Sequence, residues 1–119
     1  MLPTLADRRL DGVFSALADP TRRAILARLT EGPANVGELA APFEMSLPAV
    51  SKHLKVLEGA GLLARRRDGR VHHCHLQTGP LDDAQRWIDA TRTFWRQGLG
   101  RLQDYLERQS EKSEDDPHA

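Results

Sequence analysis

Hydrogen-bond donors and cations follow small residues over positions 46–58 of this 119-residue chain. The side chains concerned are Ser46, Pro48, Ala49, Ser51, Lys52, His53 and Lys55. Serine, lysine and histidine donate hydrogen bonds to phosphate oxygens and purine acceptors, and small residues let a helix approach base edges closely. These residue types indicate recognition of a DNA major groove, although the same surface would also suit solvent.

A capped helix with two unlike faces is predicted to position those side chains. Ser46 can accept a hydrogen bond from the first turn, where Pro48 is tolerated because those N–H groups have no intrahelical partner. Apolar residues that recur at three- and four-residue spacing must be buried: Leu47, Val50, Leu54 and Leu57. Gly59 and Gly61 can end the helix in the left-handed conformation.

A basic β-hairpin is predicted over residues 62–76, directly after this helix. Asp68 and Gly69 stand between two extendable runs, which favours a type I′ turn with positive φ at both positions. Four arginines flank the turn: Arg65, Arg66, Arg67 and Arg70. Beside a DNA-reading helix we interpret this hairpin as a wing on the sugar-phosphate backbone or in a minor groove. A sheet edge protected by charge is the alternative.

Three shorter helices are expected upstream, with Asp19 and Asn35 as N-caps of the second and third. They are predicted at residues 5–18, 19–31 and 35–43. Thr21 and Arg22 lie at the start of the second helix, where they could contact phosphate or remain solvated. The third helix and the helix at 46–58 are joined by a tight turn, which is the helix-turn-helix pattern. The predicted fold is therefore mainly α with a small β-hairpin, a winged helix-turn-helix in the order α-α-α-α-β-β-α.

A long amphipathic helix is predicted over residues 81–106. Its apolar seam contains two tryptophans and is too large for the short first helix to cover, so we expect a homodimer. The predicted interface comprises Leu10, Phe14, Leu81, Ile88, Trp95, Leu99, Leu102 and Leu106. Burial against the first helix of the same chain is the alternative. Residues 1–108 are expected to form one DNA-binding and dimerisation domain, and residues 109–119 a polar, acidic, disordered tail.

Charge is distributed unevenly, although Lys+Arg and Asp+Glu both number 17. Positions 46–75 carry six basic and two acidic side chains, a local charge of about +4, and positions 104–119 carry about −4. The single cysteine excludes an intramolecular disulfide, and the sequence has neither an apolar leader nor a run of about 18 apolar residues. We expect a soluble, cytoplasmic protein with no membrane partner. Without a phosphate loop, a metalloprotease motif or a nucleophile–base pair, no catalytic residue and no enzyme activity are predicted.

The run His72-His73-Cys74-His75 has the composition of a metal cluster, but successive strand residues point to opposite faces. Only His73 with His75, or His72 with Cys74, could contribute to one site. Cys74 is expected to be a buried small hydrophobe. We therefore predict no metal and no cofactor, with a thiol- or metal-responsive regulator sensing through Cys74 as an alternative.

Five blocks of the sequence resemble the ArsR/SmtB family of bacterial winged-helix repressors, over roughly residues 10–106. The blocks are 17–26 (LADPTRRAIL), 36–40 (VGELA), 46–57 (SLPAVSKHLKVL), 59–63 (GAGLL) and 69–70 (GR). The resemblance implies a dimer whose first and last helices form the interface, a fourth helix that reads DNA, and a hairpin that acts as the wing. It also implies repression through occupation of an operator.

The chain departs from the metal-sensing members of that family. Asn35 and Gly37 stand where those members carry cysteines on the third helix, and residues 81–106 contain no histidine. Metal sensing at the family's sites is therefore disfavoured, and the effector stays unidentified. We predict a sequence-specific repressor that binds a palindromic operator in double-stranded DNA as a homodimer, through the helix at 46–58 and the wing at 62–76. A winged-helix module that binds an acidic protein partner is the alternative.

Overall fold

The computed structural model describes residues 4–115, which fold into five helices and a three-stranded sheet. The elements are α1 (Leu5–Leu17), α2 (Pro20–Leu29), β1 (Ala34–Asn35), α3 (Val36–Ala40), α4 (Leu47–Gly59), β2 (Leu63–Asp68), β3 (Val71–Leu76) and α5 (Gly79–Asp115). The predicted winged helix-turn-helix order is confirmed, with one added strand. The chain divides into two compact units, one up to Ala84 and one from Gln85 onward.

Side-chain caps begin the helices at the positions that the sequence predicts. Each predicted cap accepts a hydrogen bond from the backbone N–H three residues later: Asp19 from Arg22 (3.0 Å), Asn35 from Glu38 (2.8 Å) and Ser46 from Ala49 (3.2 Å). Such caps satisfy N–H groups that the helix itself leaves without partners. At the other end of α4, Gly61 adopts φ +75°, which a residue with a Cβ rarely does.

The sheet has the strand order β1-β3-β2, with antiparallel pairing throughout. The strand β1 was not predicted, because two residues are too few to show an alternating pattern; it pairs Ala34 with Cys74. The predicted type I′ turn is wrong. Asp68 pairs with Val71 at the end of the ladder, which leaves Gly69 and Arg70 as the central residues. Among residues 4–115 positive φ is confined to glycines, and Gly69 at φ +62° gives the sign pattern of a type II′ turn.

The core of the first unit is made by all four of its complete helices and by the sheet. Its fully buried side chains include Ile25, Leu39, Val50, Leu54, Leu57, Leu62, Leu63 and Cys74. Leu10, Phe14 and Leu81 are partly buried against this core. Leu47 was predicted to share the buried stripe of α4, but its side chain is 57% exposed. The core covers α4 only from Val50 onward.

Helix α5 is longer than the sequence analysis expected. It runs from Gly79 to Asp115, so it includes residues 109–115 of the segment expected to be a disordered tail, while residues 116–119 lie outside the described part. Glutamate, arginine, glutamine and lysine predominate over residues 101–115 and favour helix, with no glycine or proline among them. Gln103 Nε2 also donates to Glu107 Oε1 over 3.2 Å, one helical turn away.

Candidate nucleic-acid interface

The outer face of α4 presents two of the cations predicted to contact DNA. Lys52 and Lys55 are exposed, and the exposed Pro48 lies on the same side of the helix. On the opposite side, Val50, Leu54 and Leu57 have no exposed surface. Ser46 is exposed, whereas Ala49 and Ser51 are half-buried. The core thus fixes the helix with Lys52 and Lys55 directed outward.

His53 faces the N-terminus of α2 rather than the outer face of α4. Its side chain is only 19% exposed, and its Nδ1 lies 3.3 Å from Arg22 Nη1 and 3.8 Å from Asp19 Oδ2. The backbone N–H of Arg22, helped by the charge of the Arg22 guanidinium, holds the pKa of Asp19 below its usual value. The imidazole of His53 thus joins α4 to α2, and its contact with DNA stays a prediction.

The guanidinium of Arg22 is also engaged within the fold. Its Nε donates to the carbonyl of Ala16 over 2.7 Å, and its Nη2 donates to that of Ser15 over 3.0 Å. Arg23 Nη1 donates to the carbonyl of Leu17 over 2.8 Å. The last carbonyls of a helix lack intrahelical partners, and these two arginines donate to those of Ala16 and Leu17. Arg22 also adds a second donor to the carbonyl of Ser15, which accepts from the N–H of Ala18 as well. Arg22 is thus held within the fold and the neighbouring Thr21 is half-buried, so the phosphate contacts of both residues stay predictions.

Three of the four wing arginines are exposed and the fourth is not. Arg66, Arg67 and Arg70 are exposed, and Arg67 Nε donates to the carbonyl of Gly69 over 2.9 Å. Arg65 lies opposite Cys74 in the sheet, on the same face of β2 as the buried Leu63. Arg65 therefore faces inward, unlike the other three wing arginines, and its contact with DNA stays a prediction. The two-residue period of a strand, counted from Leu63, is the signal that would have shown this inward orientation.

An ion pair joins the inward-facing Arg65 to α4. Its Nε lies 3.4 Å from Glu58 Oε2, and its side chain is 21% exposed. The atoms Nε and Nη2 are buried without a hydrogen-bond partner, so the contact with Glu58 is electrostatic rather than a well-aligned hydrogen bond. Burial raises the pKa of the Cys74 thiol; the charge of Arg65 opposes this shift and that of Glu58 adds to it. The thiol is thus held in its protonated, unreactive form.

The outer face of the sheet carries a polar cleft. It is lined by Pro33, Arg66, Arg67, Asp68, His73 and His75. His73 and His75 share this face, as the alternation predicts, with Arg66 paired opposite His73. Within residues 4–115, no three histidine, cysteine or acidic side chains come close enough together to hold a metal ion.

The second unit presents a wide apolar face along α5. Its large apolar side chains are between 40% and 71% exposed: Trp87, Ile88, Phe94, Trp95, Leu99, Leu102, Tyr105 and Leu106. Their spacings of three, four and seven residues place them on one side of the helix. Contiguous apolar surface of this kind marks a site of association. None of the helices within residues 4–115 combines the length and apolar character that crossing a membrane requires.

Comparison with known proteins places these features among transcriptional regulators. A family model described as a helix-turn-helix domain matches residues 17–66. The HTH-type transcriptional regulator Rv2034 of Mycobacterium tuberculosis is 47% identical over 94 residues, which cover 77% of this chain and 83% of that protein. The transcriptional repressor SdpR of Bacillus subtilis is 37% identical over 79 residues, covering 66% of this chain and 88% of SdpR.

Two solved structures share the fold over most of their length. The ArsR family transcriptional regulator RHA00566 has a TM-score of 0.73 and 42% identity, covering 81% of this chain and 97% of that structure. An ArsR-like transcriptional regulator from Rhodococcus sp. RHA1 has a TM-score of 0.73 and 28% identity, covering 82% and 92%. All four proteins are named as transcriptional regulators or repressors, and none as an enzyme.

Proposed function

This chain belongs to the ArsR/SmtB family of winged helix-turn-helix transcriptional regulators, and on that premise we propose that it is a repressor that binds a specific operator in double-stranded DNA. The outward face of α4 enters the major groove, and the hairpin of β2 and β3 lies along the sugar-phosphate backbone. The protein acts in the cytoplasm, where its operator is. Residues 1–108 supply both DNA binding and dimerisation.

The observation that carries this proposal is the separation of the cations by exposure. Lys52 and Lys55 on α4 and Arg66, Arg67 and Arg70 on the wing all face outward. Arg22, His53 and Arg65 are held by contacts within the fold. Five outward cations on two adjacent elements suit a phosphate backbone, because each phosphate contact releases condensed counterions. The overall charge of zero hides this local surface.

Binding to a palindromic operator follows if two chains associate. The apolar face of α5 supports a homodimer, because its large side chains are exposed in the single chain and their burial against a second copy would lower the free energy. In the proposed interface Ile88, Trp95, Leu99, Leu102 and Leu106 pack against a second copy, with Leu10, Phe14 and Leu81 contributing their exposed parts. A two-fold dimer then places two copies of α4 on major-groove segments about 34 Å apart.

Footprinting of the wild-type protein on the DNA upstream of its own gene, followed by fluorescence anisotropy at several salt concentrations, tests this function. We expect a protected, two-fold symmetric site and an affinity that falls steeply with salt, with a slope of about −0.9 per phosphate contact. A protein-binding module would show neither a footprint nor a salt-dependent preference for duplex DNA, and that outcome would overturn the proposal.

A further inference from the structure

Leu47 is a large apolar side chain in an unusual place. It is the first residue of α4 and is 57% exposed, on the element that carries the outward Lys52 and Lys55. Its neighbour Met45 is 37% exposed. The core begins only at Val50, so burial within the chain does not explain why a leucine occupies this position.

The hydrogen-bonding groups around Leu47 are largely used within α4 itself. The hydroxyl oxygen of Ser46 accepts from the N–H of Ala49 over 3.2 Å, and the carbonyl of Ser46 accepts from the N–H of Val50 over 3.1 Å. Pro48 has no N–H to offer. Of the exposed side chains here, Leu47 and Pro48 are apolar, and the N-cap Ser46 carries the one hydroxyl. The start of α4 therefore presents a largely apolar surface to whatever it approaches.

Resting on the proposed function, we infer that Leu47 is a specificity-determining residue that contacts the 5-methyl group of a thymine in the major groove. The N-terminal residues of a recognition helix approach base edges. Among the base edges of that groove, the thymine methyl is the group that an aliphatic side chain can recognise. The side chain of a helical residue also leans towards the helix N-terminus, which directs Leu47 away from its own helix and towards the bases. The lysines further along α4 remain available for phosphates and purine acceptors.

Replacement of thymine by deoxyuridine removes only the methyl group, so it tests this contact directly. Each thymine of one operator half-site is replaced in turn, and the duplexes are titrated with wild-type protein, Leu47→Ala and Val56→Ala. Val56 is the matched control, because it is an exposed aliphatic residue of α4 (42%) about two and a half turns from Leu47. Wild-type protein should lose about fourfold in affinity at one thymine position, the worth of one buried methyl group.

The variants distinguish this contact from a general effect of the modified base. Leu47→Ala should bind the unmodified operator more weakly and should bind the thymine and deoxyuridine duplexes equally at that position. Val56→Ala should retain the fourfold difference. The inference is overturned if wild-type protein is indifferent to deoxyuridine at every position, or if Leu47→Ala keeps the same difference. Failure of wild-type protein to bind any duplex in a salt-dependent way would instead overturn the proposed function, so the two failures are separable.

Discussion

Nη1 of Arg22 lies 3.3 Å from Nδ1 of His53, so the arginine that donates hydrogen bonds to the last carbonyls of α1 also contacts α4. An arginine can only donate hydrogen bonds, which means that this contact uses an unprotonated Nδ1. Protonated His53 would instead favour Asp19, whose Oδ2 is 3.8 Å away. The orientation of α4 is thereby linked to the junction between α1 and α2.

Replacement of Arg22 by alanine should destabilise the protein. It removes the donors to Ser15 and Ala16 and the contact with His53, which together are worth about 1–2 kcal/mol, since the freed carbonyls can still bind water. Thermal unfolding at a fixed protein concentration should show a Tm lower by several degrees. Arg23→Ala is the matched control, because it removes a single hydrogen bond, to Leu17. Equal losses in the two variants would show that the contacts of Arg22 add nothing.

Lys52→Ala and Lys55→Ala should weaken DNA binding without changing stability, because both side chains are exposed on α4. Loss of a phosphate contact should lower the salt slope by about one and affect all sequences alike, whereas loss of a base contact should cost about 1–3 kcal/mol at one position. Arg28→Ala serves as the control, since Arg28 pairs with Glu31 and Glu38. If both lysine variants retain wild-type affinity, this face of α4 does not contact DNA.

The wing arginines should differ according to their exposure. Arg70→Ala, at an exposed position of the turn, should weaken operator binding and reduce its salt dependence. Arg65→Met should change the affinity less than twofold, because Arg65 faces Glu58 and Cys74 rather than solvent. Methionine also removes two buried nitrogens that lack hydrogen-bond partners, so the free energy of unfolding should change little. A larger loss of affinity in Arg65→Met than in Arg70→Ala would reverse this assignment.

Trp95→Glu on the apolar face of α5 should convert the expected dimer into a monomer. The indole is 62% exposed in the single chain, and a carboxylate buried at a subunit interface without a cation would favour separated chains. Sedimentation at micromolar concentration measures this change, and operator affinity should fall because the second half-site is lost. Gln97→Glu, on the polar side of the same helix, should remain dimeric. A monomeric wild-type protein would contradict the dimer. A dimeric Trp95→Glu variant would show that the interface lies away from this face of α5.

Cys74 should be protected from thiol reagents until the protein unfolds. Its side chain is fully buried, and burial raises the pKa of its thiol. Below the usual thiol pKa both folded and unfolded states hold the proton, so stability does not depend on this group there. As the pH rises above that value, the unfolded state ionises first and stability falls. Reaction with an aromatic disulfide should follow the unfolding rate, and rapid labelling of the native protein would contradict the burial.

The features that the sequence predicted correctly are those that depend on short-range contacts. The caps Asp19, Asn35 and Ser46 bond to backbone groups three residues away, so their type and spacing were sufficient. The position of the hairpin followed from Gly69, which adopts the positive φ that glycine permits. The burial of Val50, Leu54 and Leu57 followed from helical periodicity.

The tertiary structure decided which of the predicted cations face outward. Arg22 and His53 are far apart in sequence and meet only because α1, α2 and α4 pack together, and Arg65 turns inward because β2 buries Leu63 against the core. Leu47 is exposed because the core packs against α4 only from Val50 onward. The type and spacing of a residue specify its possible hydrogen-bond partners. The burial of its side chain depends on helices and strands that are distant in sequence and pack against it. The amino-acid sequence therefore determined the helix-turn-helix and its wing, and packing determined which side chains remain free to bind DNA.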